Sequence, residues 1–385
     1  MRLRKTLFWV HLGCGVTVGL VVLMMSVTGL LLTYERQILD WADHASYPQL
    51  RPEAGGKSLA LAVQAAGSVL PANGSMNVVV FAAPERAVSV RSGRNPPVLV
   101  DPYTGRLLGN GASGLREFFA TVTRMHRWFA VGDDQRGVAR AITGASNLVF
   151  GFLVLSGLYL WLPRIWRKRQ FLARLRFARS YPGRQARDYN WHHVLGIWAA
   201  VPLLLVISTA TVFSYGWANQ LVYQAFGEEP PQRRGGPPAP AQAPGTDTSR
   251  IDALFAEAAG RVPGWRTISF TVPAADAAAL AFRVDRGNGA QPHRQITVSL
   301  DRSDGQPLAT EVFGDATPGR QARVMIRWLH TGELGGPAGQ TLAGLACIAA
   351  ILLVWTGLCM AWRRLVQPVL RRLRARPIRR AKDAA

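Results

Sequence analysis

The sequence has 385 residues, 49% of them hydrophobic, and a formal net charge of +22. That length admits two or three domains. The charge would admit nucleic-acid binding, but its placement excludes it, because the basic residues crowd three short acid-free segments, Arg2–Lys5, Arg164–Arg187 and Arg363–Lys382. The three cysteines, Cys14, Cys347 and Cys359, lie in apolar runs without metal spacing, which excludes a disulfide framework, a zinc site and an iron–sulfur cluster.

From Leu7 to Thr33 there is no carboxylate, Lys or Arg. As a helix this run crosses roughly 30 Å of hydrocarbon. It is too long for a signal peptide and no small-x-small cleavage site follows, so residues 1–34 are expected to be a first transmembrane helix that anchors the chain.

Residues 35–113 read as a small external α+β domain. Ser58 caps a helix over Lys57–Leu70, and strands follow at Asn77–Ala82, Ala87–Arg91 and Pro97–Val100. Asp101-Pro102-Tyr103-Thr104-Gly105 then makes a turn, with Pro fixing φ and Gly accepting positive φ. Residues 114–163 hold an amphipathic interfacial helix that ends at Met125-His126-Arg127-Trp128, followed by a second span over Ala141–Leu162. A basic loop, 164–190, leads to the third span in 191–216, built on Val194–Tyr215.

Residues 228–249 are rich in Pro, Gly, Ala and Gln and are expected to form a disordered external linker, since they cannot bury an apolar core. Residues 250–317 then repeat the external plan. Ser249 caps a helix over Ile251–Ala259, strands lie at Thr267–Val272, Ala279–Asp285 and Arg294–Leu300, and Asp301 to Gly305 matches the earlier turn. Residues 318–362 hold a second interfacial helix, ending at His330, and a fourth span over Thr341–Trp362; residues 363–385 are a basic tail. The expected fold class is therefore an α-helical membrane protein with four transmembrane helices from an internal duplication and two small α+β domains outside. Four spans put all three basic segments on one side, so both termini and the middle loop are expected in the cytoplasm, against the headgroups of the lipid bilayer, with residues 34–140 and 216–340 outside.

The duplication is clearest in the histidines. His11 stands four residues before Gly15 and seventeen before Thr28, and His192 stands four before Gly196 and seventeen before Thr209. His126 and His330 each end an interfacial helix just before a span, and those spans close alike, on Ser156-Gly157-Leu158 and Thr356-Gly357-Leu358. A single histidine there would be read as an interfacial residue anchoring headgroups. Four at duplicated positions, two at each face, read instead as pairs that can each clamp a haem between facing helices. Two haem b groups follow, since no Cys-x-x-Cys-His attachment site exists. His193 points about 100° away from His192 on a helix and is the reserve for it. His44 and His293, in external sequence without a partner pattern, are read as ordinary loop residues. Gly13, Gly15, Gly19, Gly144, Gly151, Gly196 and Gly344 lie within spans and either let helices approach or leave room for a flat macrocycle.

These motifs, spread in order over the chain, resemble the PepSY-associated transmembrane family of iron-regulated membrane proteins. The carriers are His11-x3-Gly15 with Thr28-Gly29, Met125-His126-Arg127-Trp128, Ser156 to Arg164, His192-x3-Gly196, and Leu329-His330-Thr331-Gly332 with Thr356-Gly357-Leu358; one departure is Ala210 after Thr209, where the family has Gly. The resemblance implies PepSY-like periplasmic domains, a bacterial inner-membrane location and a di-haem ferric-siderophore reductase. Electrons would enter from a cytoplasmic or quinol donor at a haem held by His11 and His192. They would leave through one held by His126 and His330, to a ferric siderophore docked between the two external domains, with release of Fe(II). A PepSY binding or regulatory protein without redox activity, and a b-type cytochrome serving another acceptor, are the alternative readings.

Overall fold

The computed structural model of the chain describes residues 2–52, 56–71, 75–93, 95–163, 167–231, 248–274 and 277–373. Its elements run α1 (Arg2–Leu32), α2 (Glu35–Ala45), α3 (Leu59–Gly67), β1 (Met76–Phe81), β2 (Val88–Ser92), β3 (Val98–Val100), β4 (Leu107–Gly109), α4 (Ser113–Trp128), α5 (Asp133–Trp161), α6 (Lys168–Arg174), α7 (Arg184–Ser214) and α8 (Gly216–Gln224). Then come α9 (Ile251–Arg261), β5 (Thr267–Thr271), β6 (Ala279–Asp285), β7 (Gln295–Asp301), β8 (Pro307–Val312), α10 (Pro318–His330) and α11 (Gly336–Leu365). The chain divides into two compact units, one of Met1–Thr33, Thr121–Asn219 and Leu329–Ala385, the other of Tyr34–Ala120 and Gln220–Trp328.

In the first unit, α1, α5, α7 and the stretch Glu333–Leu373 that contains α11 are each long and apolar enough to cross a membrane. The chain is a multi-pass membrane protein. Each helix overlies one of the four apolar runs and extends beyond it; in α5 and α11 the added turns carry charges whose signs suit the helix dipole, Asp133 and Asp134 opening α5, Arg363 and Arg364 closing α11, whereas α1 and α7 open on basic residues. α1 packs against α5 and α11, and α7 against the same two, so the spans form a ring. Small residues set the approach. A Cβ on Gly19 would sit 3.4 Å from Leu358, on Gly151 3.2 Å from Ile207, and on Gly344 3.4 Å from Thr33. Gly13 and Gly15 meet nothing within 4 Å, so the expected glycine set splits into packing positions and positions that leave space. Buried amides add interhelical bonds, from Asn147 Nδ2 to the Ile207 carbonyl at 3.1 Å and from Gln340 Nε2 to the Thr33 carbonyl at 2.7 Å.

The second unit is one antiparallel sheet in the order β4-β3-β2-β1-β5-β6-β7-β8, with α3 and α9 on one core. Alternation places Val78 and Val80 of β1, Ile268 and Phe270 of β5, and Leu280 and Phe282 of β6 inward. Leu59 and Val63 of α3 join Ile251 and Leu254 of α9 above them. Ser58 caps α3 as expected, its side chain accepting from the Leu61 amide at 3.3 Å. Ser58 Oγ in turn donates to Asp252 Oδ2 of α9 at 2.9 Å, so the two segments share caps as well as core. Both Asp turns form. Asp101 Oδ1 accepts from the Tyr103 amide at 3.0 Å and Asp301 Oδ1 from the Ser303 amide at 2.7 Å, with Gly105 and Gly305 at φ +70° and +80°. The Ser303 bonds hold the exposed Asp301 carboxyl below its usual range.

Four expectations change. The two external α+β segments join edge to edge, with Val78 opposite Phe270 and Val79 opposite Ser269. That seam is closed by backbone hydrogen bonds, so it offers no cleft for a chelate between the two halves. Ser249 does not occupy the cap of α9; the cap position is Arg250, at φ +62°, with no side-chain cap bond. Of the linker 228–249, residues 232–247 lie outside the described residues, but Glu228 is built in: its Oε1 accepts from the Gly319 amide at 2.9 Å and its Oε2 from Thr317 Oγ1 at 2.6 Å, capping α10. Finally, α2, α6, α8, β4 and β8 have no counterpart in the expected elements. In the basic loop and tail, residues 164–166 and 374–385 lie outside the described residues.

Candidate functional site

The four span-associated histidines meet four hydroxyls on neighbouring elements. His11 Nδ1 of α1 lies 2.9 Å from Ser156 Oγ of α5, and His192 Nδ1 of α7 lies 3.0 Å from Thr356 Oγ1 of α11. His126 Nδ1, at the end of α4, lies 2.9 Å from Thr28 Oγ1 of α1, and His330 Nδ1, at the end of α10, lies 2.9 Å from Thr209 Oγ1 of α7. Each half of the chain thus contributes one such contact at each end of the bundle. Thr28 stands seventeen residues beyond His11 on the same helix, a rise of about 25 Å at 1.5 Å per residue, so the two levels are separated by most of a bilayer core.

His11 lies within electrostatic range of His192, and His126 within that of His330. Three rings approach a glycine. A Cβ on Gly157 would come 3.5 Å from His11 Cε1, on Gly357 3.4 Å from His192 Cε1, and on Gly29 3.5 Å from His126 Cε1. At His330 the residue after the hydroxyl is Ala210, and Phe213 instead stands edge-on to the ring, centroids 5.5 Å apart at 90°.

His11 and His192 open on a cavity of about 1670 Å³ within the bundle, lined also by Phe8, Gly15, Gly19, Trp161, Gly196, Leu353 and Arg363. Ordinary small-molecule pockets run to about 1,000 Å³, so this one has room for a large ligand. Its lining includes Arg4, Lys5, Arg364 and Arg371 and no carboxylate, which favours an anionic group at that end. Two lining residues, Trp161 and Arg363, each hold a donor, Nε1 and Nη1, that is buried away from the open space and has no hydrogen-bond partner among the described residues. The residues fit a b-type haem: two imidazoles for its iron, a glycine beside each of them, and the cations of the lining for its carboxylates. No cluster of three or more His, Cys, Asp or Glu that could hold a bare metal ion exists among the described residues, whereas axial ligation of haem needs only two.

His193 also lines this cavity, but its Nδ1 reaches the Tyr189 carbonyl of its own helix at 2.8 Å, and its ring lies tilted on Tyr189, centroids 4.0 Å apart. His44 makes a local bond to Tyr47 at 3.1 Å, and His293 sits in a short 3-10 turn over Pro292–Arg294. The three cysteines are free.

One residue outside the expected set supports the site. Asp188 is buried one turn before His192, and its two oxygens accept from Arg187 Nη2 at 2.9 Å and from Arg363 Nη2 at 2.7 Å, tying α7 to α11. A lone acid between a basic loop and an apolar run was the available signal. Removing one partner of a buried pair costs about 3–5 kcal/mol. The Arg187 and Arg363 side chains are 43% and 23% exposed, which lowers the expected cost of Asp188→Ala to about 2 kcal/mol. Thermal unfolding of the full chain should show a midpoint lower by about 4–8 °C, with Asp188→Asn intermediate; an unchanged midpoint would mean the clasp is idle.

A family model described as the PepSY-associated TM region matches residues 8–364. No curated protein matches the chain.

Proposed function

From the premise that the chain belongs to the family of the PepSY-associated TM region, we propose that it is a haem-containing inner-membrane reductase that passes electrons across the bilayer to a periplasmic ferric siderophore. The observation that carries this reading is the fourfold contact: two histidine pairs at the two ends of one bundle, each ring held at Nδ1 by a hydroxyl. The same pattern supports an internal duplication, because each contact in the first half has its counterpart in the second.

Bound haem would supply one-electron redox chemistry at each pair. His11 and His192 would hold one haem, and His126 and His330 the other. Gly157, Gly357 and Gly29 leave Cε1 of His11, His192 and His126 uncrowded. Arg4, Lys5, Arg364 and Arg371 would receive carboxylates at the basic end, and Phe8, Leu353 and Leu358 line the cavity with apolar surface. The substrate is a ferric chelate; Fe(II) is held less firmly than Fe(III) by hard oxygen donors, so reduction frees the iron without breaking the chelator.

The positive-inside rule places the His11–His192 pair at the cytoplasmic face, with both termini, and the sheet-bearing unit in the periplasm. A reporter active only outside the cell when fused after residue 385 would reverse this orientation. The function itself is tested by a visible spectrum of the purified protein with haem quantified per chain. A Soret band and about two haems per chain are expected, with reoxidation on adding a ferric siderophore. A colourless protein reconstituted with haem to no effect would return the chain to the binding-protein class, and stable reduced haem in the presence of the chelate would point to another acceptor.

A further inference from the structure

Resting on the haem reading for its consequence but not for its geometry, we propose that Ser156, Thr356, Thr28 and Thr209 are positioning residues. Each fixes its histidine as the Nδ1–H tautomer and so turns a strengthened Nε2 lone pair to the ligand. The hydroxyl protons decide the tautomer. A Ser or Thr hydroxyl carries one proton. In Thr28 it goes to the Met24 carbonyl at 2.7 Å, in Thr209 to Leu205 at 2.8 Å, and in Thr356 to Leu352 at 2.7 Å. With that proton committed the oxygen can only accept, so the imidazole nitrogen beside it is the donor. Back-bonding of this kind is ordinary for Thr in membrane helices. What is not ordinary is that each of these oxygens then receives a histidine from another helix.

Backbone carbonyls, which have no proton to give, agree. The Val206 carbonyl lies 3.2 Å from His330 Nδ1, and the carbonyls of Met25 and Leu353 bond to His126 and His192. Each of these carbonyls belongs to the residue three before the hydroxyl, and at His330 one turn of α7 presents both oxygens to the same ring nitrogen. Ser156 is the loosest of the four, with its Oγ 3.3 Å from the Leu153 carbonyl, and His11 is the least firmly set. A neutral imidazole protonated at Nδ1 has its lone pair on Nε2. A hydrogen bond from Nδ1–H raises the basicity of that nitrogen, and loss of such a partner costs 10–100-fold in metal affinity.

The test separates tautomer setting from packing by paired substitutions. Thr356→Val keeps the shape and removes the hydroxyl; Thr356→Ser keeps the hydroxyl and removes the methyl. If Thr356 sets the ligand, Thr356→Val loses haem from the His192 pair about tenfold faster. Its midpoint potential rises, since a weaker donor favours Fe(III) less; a tenfold loss of that preference reads as about 59 mV. Thr356→Ser stays close to the parent. A packing role reverses the order, with Thr356→Ser impaired and Thr356→Val normal, and overturns the proposal. Nitrogen-15 spectra of the haem-free chain, labelled at histidine, give an independent reading: the four rings should show protonated Nδ1 and bare Nε2. The opposite tautomer would sink the idea even if haem binds. The expected tautomers in a chain that never takes up haem would instead uphold the positioning and refute the haem reading.

Discussion

Replacing His330 with Ala is expected to leave about one haem per chain in place of about two, and to abolish reduction of an external ferric siderophore. His330 and His126 form one pair and draw their hydroxyls from α7 and α1, whereas His11 and His192 form the other and draw theirs from α5 and α11. Among the described residues the two sets share no hydrogen bond, and the seventeen-residue step along α1 from His11 to Thr28 separates them. Loss of one pair should therefore spare the other, and the remaining haem should still be reduced from the cytoplasmic side. His11→Ala should do the converse. It should keep the periplasmic haem and lose its supply of electrons from inside, while a small reductant added outside still drives siderophore reduction. Haem counted by pyridine haemochrome, with reduction followed from each side, checks both variants. Unchanged haem content with unperturbed low-spin spectra in both would show that these histidines anchor headgroups.

The second large effect is a contrast between neighbours. His192→Ala should lose one haem, and His193→Ala should keep both. Both rings face the same cavity, so access does not distinguish them. The difference is what holds them. His192 is fixed across the helix interface by Thr356 at 3.0 Å and rests against Gly357, and His11 lies within electrostatic range; His193 is bonded back to Tyr189 of its own helix at 2.8 Å and covered by that phenol ring. A side chain tied to its own preceding turn fixes nothing between helices. The measurement is again haem per chain, with the low-spin spectrum of each variant. Loss of haem in His193→Ala alone would exchange the two roles.

Membrane character, span positions and the histidines were legible because each rests on local sequence. An uncharged run longer than the hydrocarbon thickness has one stable solution in lipid. A histidine that recurs at a fixed distance from a glycine and a threonine is visible without any contact being known. The Asp101 and Asp301 turns were equally legible, since an Asp that caps its own turn and a Gly at positive φ act within five residues. The strands with an inward face, β1, β2, β5, β6 and β7, announced themselves by alternation.

What the sequence could not supply are the partners. β8 is exposed along its whole length and β4 along most of it, so neither carries an apolar period, and they are strands only because β7 and β3 offer free edges. α2 buries no residue and is tied through Asp40 to Arg86 and through Asp43 to Arg116, ion pairs between residues far apart in the chain. The pairing of β1 with β5, which makes one sheet of two expected domains, depends on register across nearly two hundred residues; hydrophobic patterning says which face is buried but not which edge is covered. The hydroxyl beside each histidine follows the same rule. Sequence spacing singled out His11, His126, His192 and His330 one helix at a time. Only the packing of α1, α4, α5, α7, α10 and α11 decided that Ser156, Thr28, Thr356 and Thr209 would meet them, because a hydrogen bond between helices is fixed by the distance between two backbones, which no single stretch of sequence contains.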